Sequence, residues 1–248
     1  LENKMSLFTG SLTTGGLFNG GLFQNQVTSL NLTVVVTAPG QSYSINLISG
    51  NTPVIKIKWG DGSENDYTSL GIKTHVYTGA GEYIIQISGS YTSGGAIRLN
   101  QSPPGGVTLK ATGIFPPVQY LSGIANVQRM FDTVSINTPL PMRLFKNIAS
   151  DILLVNYCFQ NDTGLNGTDV PVDIFDGMVN CMAFTGVFQG VTFTTDSYSK
   201  LLVRMAATLV QTGMSFHGGG SKYNADGATA RSYLTGTLGW TITDGGPA

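Results

Sequence analysis

Hydrophobic positions change their rhythm twice along this chain. From Leu30 to about Ser90 they alternate: Leu32-Thr33-Val34-Val35-Val36, Tyr43-Ser44-Ile45-Asn46-Leu47, Ile55-Lys56-Ile57-Lys58-Trp59 and Tyr83-Ile84-Ile85-Gln86-Ile87 are apolar at every second residue or nearly so, the period of a strand with one buried face. Ala38-Pro39-Gly40 and Gly60-Asp61-Gly62-Ser63 between them are turn chemistry, so the stretch predicts a short β-sandwich. From residue 121 to 193 a longer period takes over. Arg129-Met130-Phe131-Asp132, Tyr157-Cys158-Phe159-Gln160 and Gly186-Val187-Phe188-Gln189 recur about 29 residues apart, interleaved with Pro141-Met142-Arg143-Leu144-Phe145 and Pro171-Val172-Asp173-Ile174-Phe175. A unit of that length cannot bury its apolar face alone, so copies must stack, with Phe131, Phe159 and Phe188 as internal rungs. Pro at a first helical position loses no hydrogen bond, so each Pro-x-x-Leu/Ile-Phe segment predicts a short helix. From residue 194 the spacing is helical. Tyr198, Leu201, Leu202, Met205 and Leu209 share one stripe of a helix capped by Asp196 and ending at Gly213. Met214-Ser215-Phe216 reads as a strand, a second helix runs near Asp226 to Leu234, and Gly239-Trp240-Thr241-Ile242 is a final strand.

Two stretches stand outside these patterns. Residues 1–29 hold an imperfect duplication, Thr14-Gly15-Gly16-Leu17-Phe18 and Asn19-Gly20-Gly21-Leu22-Phe23. They read either as a flexible leader or as an arm that docks Leu17, Phe18, Leu22 and Phe23 into a neighbouring subunit, gaining about 1.5 to 3 kcal/mol per buried side chain before ordering costs. Residues 93–120 are rich in Gly and Pro, with alternation in Ile97-Arg98-Leu99 and Val107-Thr108-Leu109; they read as ordered packing between modules. The expected organisation is an arm (1–29), a β-sandwich (30–92), a connector (93–120), stacked repeats (121–193) and a helical cap (194–248). The fold class is mainly β with some α.

Composition narrows the partners. Only 11% of the 248 residues are charged, and thirteen basic groups nearly cancel fourteen acidic ones. No large field exists to draw phosphate backbones, so nucleic acid is not an expected partner. Near neutrality also removes the repulsion that keeps copies apart, which favours a homo-oligomer. No apolar run approaches the ~18 residues that span a bilayer, so no membrane insertion is expected. Cys158 and Cys181 are the only cysteines; without a second pair or clustered His they specify no zinc site, and two buried free thiols are expected over a disulfide.

Three resemblances follow from particular residues. Trp59-Gly60-Asp61-Gly62-Ser63, His75-Val76-Tyr77 and Gly81-Glu82-Tyr83 resemble the pattern of PKD domains, Ig-like modules of extracellular and surface proteins. That resemblance implies Trp59 filling the core between sheets, Asp61 bonding amides of its own turn, Gly62 at positive φ, and Tyr77, ahead of Gly81, with its hydroxyl on main chain. The alternating Phe and Pro-x-x-Leu-Phe units resemble irregular leucine-rich repeats of the BspA-like group, although the usual Cys-x-x-Leu dressing is mostly missing. Gly219-Gly220-Ser221-Lys222-Tyr223, Ala228-Thr229-Ala230-Arg231 and Gly239-Trp240-Thr241-Ile242-Thr243-Asp244-Gly245-Gly246 resemble the C-terminal cap of tailed-bacteriophage proteins that combine PKD modules with repeats. Together they imply a virion location, capsid, portal or tail proteins as partners, and contact with a host-surface glycan or protein.

Little in the chain suggests catalysis. His75 and His217 are the only histidines and fall in separate modules. Gly218-Gly219-Gly220-Ser221-Lys222 lacks P-loop spacing, while Asp169, Asp173 and Asp176 flank a Pro-started segment and read as caps. No enzyme activity and no cofactor is expected. The expected function is that of a phage virion structural protein, decorating a capsid or forming part of a head or tail fibre. The alternative is a bacterial cell-surface or secreted adhesin built from the same modules.

Overall fold

The computed structural model describes residues 29–49, 52–99, 111–115, 121–134, 136, 138–145 and 148–248, the backbone alone for 111–115. The Leu17, Phe18, Leu22 and Phe23 arm and the strand expected at Val107-Thr108-Leu109 lie outside the described residues.

The fold is mixed, with more strand than helix: a curled β-sheet, a stack of irregular turns and a C-terminal pair of helices. Eight strands form one hydrogen-bonded sheet: β1 (Leu30–Val36), β2 (Ser42–Ser49), β3 (Pro53–Lys58), β4 (Glu64–Tyr67), β5 (Gly71–Val76), β6 (Gly81–Arg98), β7 (Ala111–Phe115) and β8 (Leu121–Asn126). Its main path is β4-β3-β6-β1-β7, with β2 joining β5 to β6 and β8 alongside β6. The long β6 makes the sheet curl. Its first part pairs antiparallel with β1 (Leu30 opposite Ile87) and β3 (Ile57 opposite Ile87), while its far end pairs with β2 (Leu47 opposite Ile97). Within the part paired with β3, Gly89 stands opposite Ile55 at φ +121°, and a Cβ there would lie 2.0 Å from the Val54 carbonyl oxygen, an approach only glycine allows. Inward residues of facing strands, Leu32, Val34, Tyr43, Ile45, Ile57, Trp59 and Ile85, are all completely buried.

Beyond β8 the chain pairs with itself one turn later. The amides of Val127, Arg129, Phe131 and Thr133 donate to the carbonyls of Leu154, Asn156, Cys158 and Gln160. Those of Val155, Tyr157, Phe159 and Asn161 donate in turn to Ala183, Thr185, Val187 and Gln189. Each turn makes the same three local bonds, for example Met130 to Val127, Asp132 to Arg129 and Val134 to Phe131. This path demands a left-handed residue at two matching places per turn: Arg129, Tyr157 and Gly186 at φ 57°, 58° and 64°, and Thr133, Asn161 and Gly190 at 57°, 56° and 82°. The ladder carries the strain at the non-glycine positions. Inside it Phe131 stacks on Phe159 (centroids 5.1 Å) and Phe159 on Phe188 (5.6 Å), all fully buried.

Where the turns cannot pair backbone to backbone, side chains of the next turn accept the stranded amides. Asp162 accepts from Ile136 N (3.0 Å), Asp173 from Arg143 N (3.1 Å), Ser197 from Val170 N (3.1 Å) and Ser221 from Phe193 N (2.9 Å). An unpaired buried amide would cost about 1–3 kcal/mol, so these neutral and acidic caps hold the corners.

The last stretch holds α1 (Thr195–Thr208), β9 (Ser215–His217), α2 (Ala225–Gly236) and β10 (Thr241–Thr243), with β10 parallel to β9. Buried Tyr198, Leu201, Leu202 and Met205 form the inner stripe of α1. Its N-cap is Thr194, whose hydroxyl accepts from Ser197 N, and not Asp196, which stands in the first turn and pairs with Lys200 at 2.6 Å. The helix closes at Leu209 rather than reaching Gly213. The segments after Pro141 and Pro171 are turns, not helices: Arg143 is left-handed at φ 55°, and only i to i+3 bonds such as Ile174 N to Pro171 O form after Pro171. Among the described residues no helix is long and apolar enough to cross a membrane.

Replacing the central ring, Phe159→Ala, removes contacts on both sides and is expected to cost about 3–5 kcal/mol. Met182→Ala, at a side chain 64% exposed, is expected to change stability by no more than about 0.5 kcal/mol. Urea unfolding of the two variants beside the parent chain measures the contrast.

Candidate functional site

Three places gather polar or aromatic groups: the turn after β3, the outer rim of the stacked turns, and the helical pair.

At the first, strand pairing places four aromatic rings in line. Trp59 stacks on His75 (5.0 Å), His75 meets Tyr77 edge-on (4.8 Å) and Tyr77 stacks on Tyr83 (4.4 Å). Trp59 and Tyr77 are fully buried; the Trp59 indole donates to Asn65 Oδ1 (2.9 Å) and the Tyr77 hydroxyl to the Trp59 carbonyl (3.0 Å). Gly62 stands at φ +93°, and Gly81 lies under the Tyr83 ring. Asp61 closes the turn, accepting from the amide (3.0 Å) and hydroxyl (2.6 Å) of Ser63 through Oδ1, while Oδ2 meets His75 Nε2 at 2.7 Å. Partial burial opposes ionisation of Asp61, but the bonds from Ser63 and His75 outweigh it and bring the carboxyl down to about 2 from an ordinary 3.8.

This trio is not arranged for nucleophilic catalysis. The serine hydroxyl is held by the carboxylate and the imidazole by the other carboxylate oxygen, so the acid sits between the two. Proton removal from serine needs the imidazole in the middle. The cluster instead fixes the turn between β3 and β4. A small hollow of about 290 Å³ beside it is lined by Lys58, Gly60, Gly62, Ser63, Glu64 and Gln86, with Ile84.

On the stacked turns, the left-handed positions carry side chains outward. The Arg129 guanidinium lies over the Tyr157 ring (4.7 Å) and donates to Asp132 (2.6 Å) and Gln160 (3.1 Å). The Tyr157 ring in turn covers Gly186, where a Cβ would come within 2.3 Å of it. Both faces of this tyrosine are therefore occupied, and the column Arg129, Tyr157, Gly186 braces the ladder from outside. The repeat pattern assigns a role only to the phenylalanines of these units and none to this column, although Arg129, Tyr157 and Gly186 open the three units at offsets of 28 and 29 residues.

The helical pair holds the third group. Asp244, its side chain 2% exposed, accepts from Arg231 Nε (2.9 Å), the Tyr198 hydroxyl (3.1 Å) and Gly246 N (3.2 Å), and Arg231 also donates to the Ile242 carbonyl (2.9 Å). Trp240 stacks on Phe184 (6.0 Å) and donates to the Gln211 carbonyl (2.6 Å), fastening the end of the chain to the last turn. His217 Nδ1 accepts from Gly219 N (3.0 Å), and burial lowers the basicity of its ring. On the outer side, α1 and α2 leave a groove of about 940 Å³ between them. Asp169 accepts from the Thr194 hydroxyl and Asp176 pairs with Arg204 (2.5 Å), so neither they nor Asp173 converge on a common point. Among the described residues no group of three or more His, Cys, Asp or Glu is placed to hold a metal ion.

Both cysteines are free and buried. Burial raises the Cys158 thiol well above its ordinary value and Cys181 to about 11. At pH 8 the folded protein is expected to resist a disulfide-exchange reagent, and both thiols to react once urea unfolds it; colour release on a chromogenic disulfide counts them. The depressed Asp61 carboxyl sets an acid limit. The unfolded chain takes up this proton first, so the stabilisation is complete above about pH 4 and is lost as pH falls towards 2. Thermal melts between pH 5 and 2 are expected to decline less steeply in Asp61→Asn, which at pH 6 is less stable by about 1 kcal/mol. Comparison of the chain with protein-family models, with curated proteins and with solved structures found no match in any of the three.

Proposed function

We propose that the protein is a non-enzymatic structural component of a tailed-phage virion, a capsid decoration or a head or tail fibre part, whose outer face can also contact a host surface. In this reading the curled sheet is a PKD-like Ig module, with β6 crossing from one layer to the other. The stacked turns are a short irregular leucine-rich-repeat coil, and the helical pair is its terminal cap. The buried column of Phe131, Phe159 and Phe188 carries the proposal. It supports the view that the repeated aromatic residues serve a stacked scaffold rather than a cleft, and such scaffolds present extended contact surfaces. The order of the residue patterns, Trp59 to Tyr83, then the repeats, then Gly239 to Gly246, favours a virion part over a lone binding module.

Mass spectrometry of purified tailed-phage particles, matched against this sequence, tests it. The chain is expected among the virion proteins, in hundreds of copies per particle as a decoration or a few as a tail tip. Its absence from particles together with recovery in a bacterial envelope fraction would overturn the proposal in favour of a cell-surface adhesin.

A further inference from the structure

The groove between α1 and α2 is floored by Val172, Val203, Ala206, Ala207, Ala230 and Tyr233. Val203 and Tyr233 are each 44% exposed there, so apolar surface stands open to an occupant between the two helices. The cations at its rim are already neutralised: Lys200 by Asp196 at 2.6 Å and Arg204 by Asp176 through two contacts, Nε to Oδ1 at 2.9 Å and Nη2 to Oδ2 at 2.5 Å. An anionic occupant therefore gains little from charge. An occupant of this groove needs apolar side chains on a backbone that can lie close to two helices.

The chain carries such a segment. Residues 5–28 contain no Asp, Glu, Lys or Arg, and they present Leu-Phe three times, at Leu7-Phe8, Leu17-Phe18 and Leu22-Phe23, the last two pairs each preceded by two glycines. The 28 residues ahead of Ser29 reach roughly 90 to 100 Å when extended, against a radius of gyration of roughly 18 Å for a folded chain of this length. The Leu-Phe pairs can thus arrive at the groove of their own chain or of an adjacent copy. We infer that the groove between α1 and α2 is the docking site for the N-terminal Leu-Phe segment of this protein. Glycine before the pairs at 17–18 and 22–23 lets the backbone approach the small Ala206, Ala207 and Ala230 while leucine and phenylalanine fill the space beside Val203 and Tyr233.

Neither the groove nor the segment depends on where the protein resides, so a negative result here leaves the virion proposal standing. The test uses the full chain carrying Asn19→Cys, between two Leu-Phe pairs, with Ala207→Cys in the groove, and a control pairing Asn19→Cys with Val76→Cys on exposed β5. The native thiols are buried and stay silent under mild oxidation. Disulfide formation between positions 19 and 207 is expected to run at least about tenfold faster than between 19 and 76, because docking raises the local concentration. It should fall to the control rate when Leu17, Phe18, Leu22 and Phe23 are all replaced by Ser. Mixing singly substituted chains shows whether the segment comes from the same copy or another. Equal rates at 207 and 76, indifference to the serine replacements, or disulfides joining two Ala207→Cys chains groove to groove would each overturn the assignment.

Discussion

The structure turns on one requirement: the amides of each turn must meet the carbonyls of the next at the spacing of paired strands, about 4.8 Å. From Val127 to Gln189 that ladder sets everything else. It brings Phe131, Phe159 and Phe188 into a column at 5.1 and 5.6 Å, slightly more than the backbone step. It holds Arg129, Thr133, Tyr157 and Asn161 in left-handed backbone that such residues rarely adopt. The last turn is continued by hydrogen bonding from Phe188 N to His217 O and by β9 and β10, so these two strands, between and after the helices, extend the same ladder.

Features set by side-chain identity were legible in the sequence; those set by where the chain must bend were not. The period of the phenylalanines and the inner stripe of α1 could be read because burial demands those residue types at those intervals. Glu64–Tyr67 and Gly71–Val76 went unread because they pair in the outer part of the sheet and carry polar or exposed side chains, with no apolar alternation to betray them. Thr194 and Asp196 are both capping types two residues apart, and only the chain's entry from the Val191 to Phe193 corner, where Thr194 N bonds Thr168 O, decides between them. The Pro-led segments have the composition of helix starts. The Pro141 segment stops as a turn where Arg143 gives its amide to Asp173 of the following turn, a constraint 30 residues away in sequence. The meeting of Asp61 with His75 was hidden for the same reason: neither residue's neighbours announce the other.

The low charge content follows from how the corners are satisfied. A stack of irregular turns strands amides that a regular sheet would pair, and each needs an acceptor small enough to fit between turns. Asp162, Asp173, Ser197 and Ser221 fill that role from the next turn, and Asn156 for Thr185 N and Asn166 for Thr192 N fill it from the preceding one. Ser, Asn and Asp are short enough to reach without splaying the ladder, whereas Lys, Arg and Glu would add length and a desolvation cost. Where an ion pair is buried, as between Asp244 and Arg231, the carboxylate takes bonds from Tyr198 and Gly246 as well, so no charge is left to a single partner.

A surface built this way offers shape and neutral hydrogen bonding rather than charge. With thirteen basic and fourteen acidic groups in 248 residues, and several of them tied in pairs such as Lys56 with Glu64, Arg129 with Asp132 and Arg204 with Asp176, the chain projects little field beyond a Debye length. Under the proposed function, association would then depend on apolar contact and fixed polar geometry more than on charge. The exposed side chains fit that dependence: Leu153 and Met182 stand beside each other on adjacent turns, joined by the Met182 N to Leu153 O bond, with Val203 and Tyr233 in the helical groove. Because the ladder repeats each outward position from turn to turn, Leu153 and Met182 line up along the stack by the same periodicity that packs the phenylalanines within.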